Sequence, residues 1–533
     1  MPDRFYITTP IYYVNDRPHI GHVYTTTIAD IVARYHRLRG EDVFFLTGTD
    51  EHATKVVDAA AERGISTQAW ADRNAAEFEA TFKRLGMTNN DFIRTSEARH
   101  VERVTQYVQQ LIDSGDVYLG EYAGWYDAGQ EEYVPENKAK EHDFKSPING
   151  RPLVRKAEKN YFFRLSKYQD ALLALLDKGE AVNGSTFDVQ PTARKNEIIS
   201  RIREGLNDVP MSRSGMTDWG IDVPGSADDP SVGRQTVYVW IDALFNYLST
   251  VDVEGRRDYW PADVHLIAKD ILWFHAAIWP ALLLALDKPL PKLVYSHSFW
   301  ISEGQKMSKT LGNFIDLEKI DYYVETFSLD ALRYFLATQG PMGTTDSDFA
   351  EAKFIEVYNT DLANTFGNSF SRVSNMTAKY FEGKVPAHGP HVPASDDYAH
   401  AAEQCLRGYG EGLASLHLST AIDAGMQLVR DVDSYIEKTA PFKLAKDPAN
   451  LPQVGTILYN CAEALRIASL LLWPVIPGRC EELWRRMGLD YAEQMQRNAG
   501  RGRLDEWVRW GLLKPGTSIE KGEALFPRYQ PAK

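Results

Sequence analysis

Two histidines three residues apart, His19 and His22, bracket Ile20-Gly21 shortly after a β-branched and aromatic run, Phe5-Tyr6-Ile7-Thr8-Thr9. Far downstream, Lys306 and Lys309 flank Met307-Ser308 just after Gly304. Pro10 ends the first run, Asn15-Asp16 supply turn chemistry, and Pro18 stands where a helix can begin. On the first turn of that helix both imidazoles would point along one face, beside backbone N–H groups with no intrahelical partner. A helix start after the first strand of an open sheet binds anions, so the pattern predicts a phosphate cradle. Alone, a His-x-x-His pair also fits a partial metal site or two packed imidazoles. The lysine pair alone fits a solvated loop just as well.

The elements that must position these groups read as α/β. After the opening strand come helical residues Ile28 to Tyr35, ended by Gly40, then a strand Asp42 to Thr47 and Gly48-Thr49-Asp50-Glu51-His52 at its carboxyl end. In open parallel sheets ligand groups gather at such ends. A strand at Phe92 to Arg94 and a helix from Ser96 to Ile112 complete a Rossmann-like, doubly wound first half over residues 1–117. From Tyr118 the sequence turns aromatic- and glycine-rich, which predicts an insertion over 118–224. The sheet is expected to resume over 225–300, with strands at Gln235 to Ile241, His265 to Ile267 and Lys292 to Tyr295. The lysine loop falls in 301–349. Helical periodicity such as Leu362-Phe366-Phe370-Val373 predicts a helix bundle over 350–510, followed by a tail, 511–533.

Length and composition suit this plan. At 533 residues, 44% hydrophobic, the chain can fill several cores. The longest apolar run, around Leu465 to Pro474, is short and holds Arg466, so no membrane span is expected. The three cysteines, Cys405, Cys461 and Cys480, have neither disulfide-framework nor CxxC spacing, which with the N-terminal sequence predicts a cytoplasmic protein. A formal net charge of −14 argues against a general nucleic-acid coat protein and leaves room for a local RNA-binding face.

Taken together, His19-Ile20-Gly21-His22, the later Lys306-Met307-Ser308-Lys309-Thr310 and a terminal helix bundle resemble the class I aminoacyl-tRNA synthetases and their two signatures. More narrowly the chain resembles methionyl-tRNA synthetases, through Thr9-Pro10-Ile11-Tyr12-Tyr13-Val14-Asn15, Thr47 to His52, Tyr238-Val239-Trp240-Ile241-Asp242-Ala243, Lys269-Asp270-Ile271, Phe274-His275, Trp279-Pro280 and Ala440-Pro441. Ala268 departs from the glycine that most members have before the Lys-Asp pair. Phe442 stands where members usually show tryptophan.

The resemblance implies ATP-dependent ligation of L-methionine to tRNA(Met) through a methionyl adenylate. It implies that Ile11, Tyr13, Trp240, Ala243, Tyr247, Phe274, His275 and Trp279 line the methionine pocket; aromatic rings suit a polarizable thioether. Asp50 would take the substrate ammonium, with Arg213 near that carboxylate. His19, Gly21, His22, Asp270, Lys306 and Lys309 would hold ATP: the imidazoles on phosphate oxygens, Asp270 on the ribose, and the lysines on the β- and γ-phosphates from a loop made mobile by Gly304. Asn368, Arg372, Pro441 and Phe442 would meet the anticodon. Mg²⁺ is expected with ATP. No structural zinc is expected, because Asp127-Ala128-Gly129-Gln130 and Ser146-Pro147-Ile148-Asn149 stand where members carry paired ligands; Trp125, Tyr126 and Tyr133 would pack that knuckle instead. A short insertion and an early end after the bundle predict no editing domain, no appended tRNA-binding module and a monomer, with no DNA or membrane partner. The alternative is a class I synthetase for another apolar amino acid.

Overall fold

A computed structural model describes residues 2–127, 132–134, 136–214, 219–230, 232–307, 312–389, 392 and 396–530. Its organising feature is a six-stranded sheet built from β1 (Arg4–Tyr13), β2 (Asp42–Asp50), β3 (Asp91–Arg94), β7 (Asp188–Gln190), β11 (Val264–Ala268) and β12 (Leu293–His297). The strand order is β3-β2-β1-β11-β12-β7 and every pairing is parallel. The order therefore reverses between β1 and β11, and a crevice opens at the carboxyl ends of those two strands. Two large apolar cores cover the faces. One contains α1 (Ile20–Arg39) and runs on into the helical region; the other contains the helices after β2 and β3.

Pro10 does not end β1. The strand continues to Tyr13, and the missing proline N–H is absorbed by a register shift against β2 between Thr8 and Ile11. That shift carries Ile11 and Tyr13 to the crevice. Gly48, paired with Ile93, has no room for a side chain: a Cβ there would lie 2.0 Å from the Ile93 carbonyl oxygen.

Two expectations for the middle of the chain need correcting. The sixth strand, β7, comes from inside 118–224, so that stretch is not wholly an insertion. The insertion proper is an antiparallel sheet of β4 (Val117–Asp127), β5 (Glu132–Val134), β6 (Val154–Phe163) and β8 (Val209–Pro210), in the order β5-β4-β6-β8. Nor does the main sheet resume at Gln235. β10 (Gln235–Val237) pairs with β9 (Ser212–Ser214), and Val239–Leu244 is a helix. A short apolar run suits either a strand or a buried helix, and here tertiary contacts chose the helix.

Where paired zinc ligands were looked for, the described residues make a hydrogen-bonded turn. Ser146 Oγ accepts from Ile148 and Asn149 backbone N–H at 3.2 Å each, and Asn149 Nδ2 donates to Asp127 Oδ1. Trp125 lies on Phe144 at a centroid distance of 4.5 Å and against Val134, Ala139 and Leu153. Tyr126 instead faces the Arg213 guanidinium, and the Tyr133 side chain and residues 128–131 lie outside the described residues. Among the described residues no cluster of three or more His, Cys, Asp or Glu could hold a metal ion.

In the bundle, one helix, Pro448–Leu472, is long and apolar enough to cross a membrane by length and composition, longer than the run seen in sequence. It is buried from Val454 to Leu472 and carries a buried Glu463–Arg466 ion pair whose carboxylate also accepts three backbone N–H groups, from Gly511, Leu512 and Leu513. Charge so engaged marks a core helix tying down the C-terminal segment. A second buried cluster joins α1 to the bundle. Asp30 lies between Arg34 and Arg333, and Arg333 donates to the Pro474 and Val475 carbonyls at 3.0 Å.

Candidate active site

The helix carrying the two histidines begins at Ile20, two residues after Pro18, with His19 as its cap rather than a member of its first turn. His19 Nδ1 accepts from Gly21 N–H at 3.1 Å, and His22 Nδ1 accepts from His19 N–H at 3.2 Å. Ile20 N–H donates to the Ile315 carbonyl at 3.1 Å. These backbone donors are thus engaged, and the cradle of bare N–H groups is not what the helix start offers. A ring nitrogen that accepts is unprotonated, so each neutral imidazole carries its proton on Nε2. Burial, and secondarily the neighbouring His19, pushes the His22 pKa well below its usual value, which keeps that ring neutral. Gly21 is required for this fold-back: a Cβ there would lie 2.9 Å from His19 Cε1. The rings stand 3.8 Å apart, between Phe314 on one side and Tyr12 and Phe78 on the other.

These residues open onto a cavity of about 480 Å³ at the crevice. Ile11, Tyr13, His19, Gly21, His22, Asp50, Trp240, Ala243, Tyr247, Asp270 and His275 all line it, although they come from distant parts of the chain. Asp50, at the end of β2, is 2% exposed. His275 donates from Nδ1 to the Ile271 carbonyl at 2.9 Å, so its Nε2 accepts the Tyr247 hydroxyl proton at 2.7 Å. Burial lowers the His275 pKa to about 4, and burial raises that of Tyr247. Both are neutral at pH 7, so this stretch of the wall carries no charge. Phe274 and His275 sit on a widened π-type turn, Phe274–Ile278, just before Pro280, whose ring would collide with the Ala276 carbonyl in a regular helix.

Four expected site residues do not line the cavity. Phe274 stacks face to face on Trp240, centroids 4.1 Å apart and planes 12° from parallel, and so braces the wall from behind. Trp279 is 0% exposed and donates from Nε1 to His265 Nε2 at 3.2 Å; it supports Tyr247 through the core. Arg213 lies over the Tyr238 ring at 4.2 Å. Lys306 is exposed on the hairpin of β13 (Trp300–Ser302) and β14 (Gln305–Lys306), and Lys309 falls outside the described residues. Gly304 stands at the tip of that hairpin. With Glu303 it forms a two-residue turn in which both φ angles are positive, 51° and 74°, and its N–H donates to Asp348 Oδ1 at 3.0 Å. The far end of this loop nevertheless reaches the histidines, through Phe314 beside His19 and the Ile315 carbonyl on Ile20.

Sequence reasoning missed His297, Thr25, Asn15 and Trp300, which also line the cavity. His297 ends β12, so the strand-end rule that flagged Asp50 would have found it. Its Nδ1 donates to the Ser298 carbonyl at 2.7 Å and its Nε2 meets Thr25 Oγ1 at 2.8 Å, while burial lowers its pKa to about 4.

In the bundle, Asn368 is exposed, and Arg372, one turn on, is paired with Asp433 at 2.9 Å and Glu437 at 2.6 Å. Pro441 is buried and Phe442 is 40% exposed.

Comparison with known proteins agrees with this geometry. A family model described as tRNA synthetases class I (M) matches residues 5–142 and 139–374. The methionine–tRNA ligase of Bacillus subtilis is 40% identical over 99% of this chain and 78% of its own length, and that of Thermotoga maritima 39% identical over 98% and 80%. Among solved structures, the Mycobacterium tuberculosis methionyl-tRNA synthetase in complex with methionyl-adenylate superposes with a TM-score of 0.88 at 35% identity, covering 99% of this chain and all of that one. Its apo form gives 0.83 at 32% identity, over 100% and 99%. The doubly wound sheet, the capped histidine pair at its crevice and the length over which these relatives align make this chain a member of the methionyl-tRNA synthetase family of class I aminoacyl-tRNA synthetases.

Proposed function

We propose that the protein ligates L-methionine to tRNA(Met) at the expense of ATP, through a methionyl-adenylate intermediate. The observation that carries this reading is one cavity lined by two unlike sets of groups. One set is the Asp50 carboxylate with Ile11, Tyr13, Trp240, Ala243, Tyr247 and neutral His275; the other is His19 and His22. The first set suits an ammonium group and an apolar thioether, each ring contact contributing about 0.3–1.5 kcal/mol. The second suits phosphate.

In this reading the methionine carboxylate attacks the α-phosphate of ATP and pyrophosphate departs. The terminal ribose of the tRNA then takes the methionyl group. Such displacements need positioning and charge stabilisation more than covalent help. The Nε2–H groups of His19 and His22 donate to phosphate oxygens, and Gly21 lets the first ring fold back. Asp270 holds the ribose, and Lys306 and Lys309 neutralise the β- and γ-phosphates. Arg213 supports the Asp50 side of the pocket, while Phe274 and Trp279 act through Trp240 and Tyr247. Mg²⁺ enters with ATP, bound chiefly by its phosphates. Asn368, Arg372, Pro441 and Phe442 form the anticodon face, and Arg372 must leave Asp433 and Glu437 to meet RNA.

Residues 1–117 and 225–300, with the strand lent from within 118–224, form the catalytic sheet. Residues 301–349 carry the lysine loop, 350–510 the anticodon bundle and 511–533 the tail. The enzyme works in the cytoplasm as a monomer without zinc, and metal analysis should find no stoichiometric zinc.

The test is ATP–pyrophosphate exchange with each of the twenty amino acids. Methionine should support exchange far above the others; exchange driven by a different apolar amino acid would overturn the reading.

A further inference from the structure

Asp242 lies on the short helix between two cavity-lining residues, Trp240 and Ala243, yet its side chain turns inward and is 1% exposed. Each carboxylate oxygen meets one imidazole: His52 Nδ1 reaches Oδ2 at 2.7 Å, and His100 Nε2 reaches Oδ1 at 2.7 Å. An ionised carboxylate only accepts, so both ring nitrogens donate. Burial alone would raise the carboxyl pKa, but the His52 and His100 contacts outweigh it and hold it at about 2. His100 Nδ1 in turn meets Ser249 Oγ at 2.8 Å.

The geometry joins the two walls of the cavity through one side chain. His52 lies two residues past Asp50 at the end of β2. Asp242 lies under Trp240 and Ala243, and Ser249 follows Tyr247. His100, on the helix Ala98–Asp113, is the outside anchor. Direct hydrogen bonds to a charged acceptor are the strong kind, and a fully partnered buried cluster is rigid.

We propose that Asp242 is a positioning residue for side-chain selectivity: by fastening the Trp240–Tyr247 wall to His52, it sets the gap between that wall and Asp50 and hence the length of unbranched apolar side chain the cavity accepts. This rests on the cavity being the methionine pocket. Asp242→Asn keeps the volume but turns an amide donor toward one imidazole N–H, which undoes one fastening.

The experiment is ATP–pyrophosphate exchange with methionine and with ethionine, one methylene longer. A fitted pocket separates such pairs by about 10- to 200-fold. In Asp242→Asn the methionine-to-ethionine ratio of kcat/KM should fall about 5-fold or more, with a raised methionine KM and an ATP KM within about 2-fold of the parent. An unchanged ratio, or methionine and ATP constants worsening together, overturns the proposal. Should that variant not fold, Ser249→Ala, which removes only the hydroxyl behind His100, carries the test: a smaller fall in the ratio supports the proposal and an unchanged ratio overturns it. A parent protein showing no methionine-dependent exchange would sink the pocket assignment itself, a result distinct from either.

Discussion

Replacing Gly21 by alanine separates fold from chemistry at one atom. The added Cβ would lie 2.9 Å from His19 Cε1 and 3.2 Å from its Nδ1, closer than carbon atoms tolerate, so the ring must swing off its cap. The lost cap, His19 Nδ1 accepting from the backbone of residue 21, costs about 1 kcal/mol. Alanine in place of glycine inside a helix returns about 0.5–1 kcal/mol. Net stability should therefore change little, with the thermal midpoint moving by about 2 °C or less. Catalysis should not escape. The same acceptance bond places the His19 proton on Nε2 and aims it at the cavity, so a displaced ring removes one donor from the developing phosphate charge. Loss of one such donor is worth about 10²–10³ in rate, or about 2.7–4 kcal/mol. ATP–pyrophosphate exchange at saturating methionine and ATP measures the rate, and thermal unfolding measures stability. An exchange rate within about 2-fold of the parent would refute the coupling of cap to tautomer. A large stability loss with a parallel rate loss would refute the separation.

Three other outcomes are expected, the first from the sequence signature and its proposed role. Lys309→Ala should slow adenylate formation by about 10²-fold or more while methionine binding, followed by intrinsic fluorescence, stays within about 2-fold; unchanged exchange would remove Lys309 from the site. The buried imidazoles of His22, His265, His275 and His297 all have depressed pKa values, the last two about 4, with burial the first cause. The unfolded chain therefore binds more protons between about pH 4 and 6.5, and stability should fall as pH drops through that window, each such proton steepening the slope by about 1.4 kcal/mol per pH unit; a urea midpoint independent of pH there would contradict it. Phe442→Ala should raise the tRNA KM by about 5-fold or more, the scale of one lost base stack, and leave tRNA-independent exchange untouched; equal effects in both assays would disprove an anticodon role.

The alternation of strands and helices, the change of character at Tyr118 and the helical period after residue 350 were legible because local chemistry dictates them. Apolar spacing follows from burying one face, and Gly40 at φ 99° closes α1 where a left-handed residue was needed. The histidine and lysine pairs were ambiguous one at a time; their joint occurrence with the terminal helical region carried the resemblance, and the pocket residues came with it. Their arrangement was not legible. Whether Gln235 to Leu244 becomes strand or helix, and which stretch supplies the sixth strand, depends on partners well outside the local window, Ser214 opposite Gln235 and Leu293 opposite Asp188, that local pattern does not encode. The same holds for Phe274 and Trp279, whose aromatic character suits a pocket wall equally with the layer behind it.

The order and spacing of residue types thus determined which groups the chain has to work with, and topology decided which of them face the cavity. The reason is geometric. A side chain's type is local, whereas the proton it presents depends on the hydrogen bond made by its other nitrogen, and for His19, His22 and His275 those bonds exist only once the helix starts and the widened turn are in place.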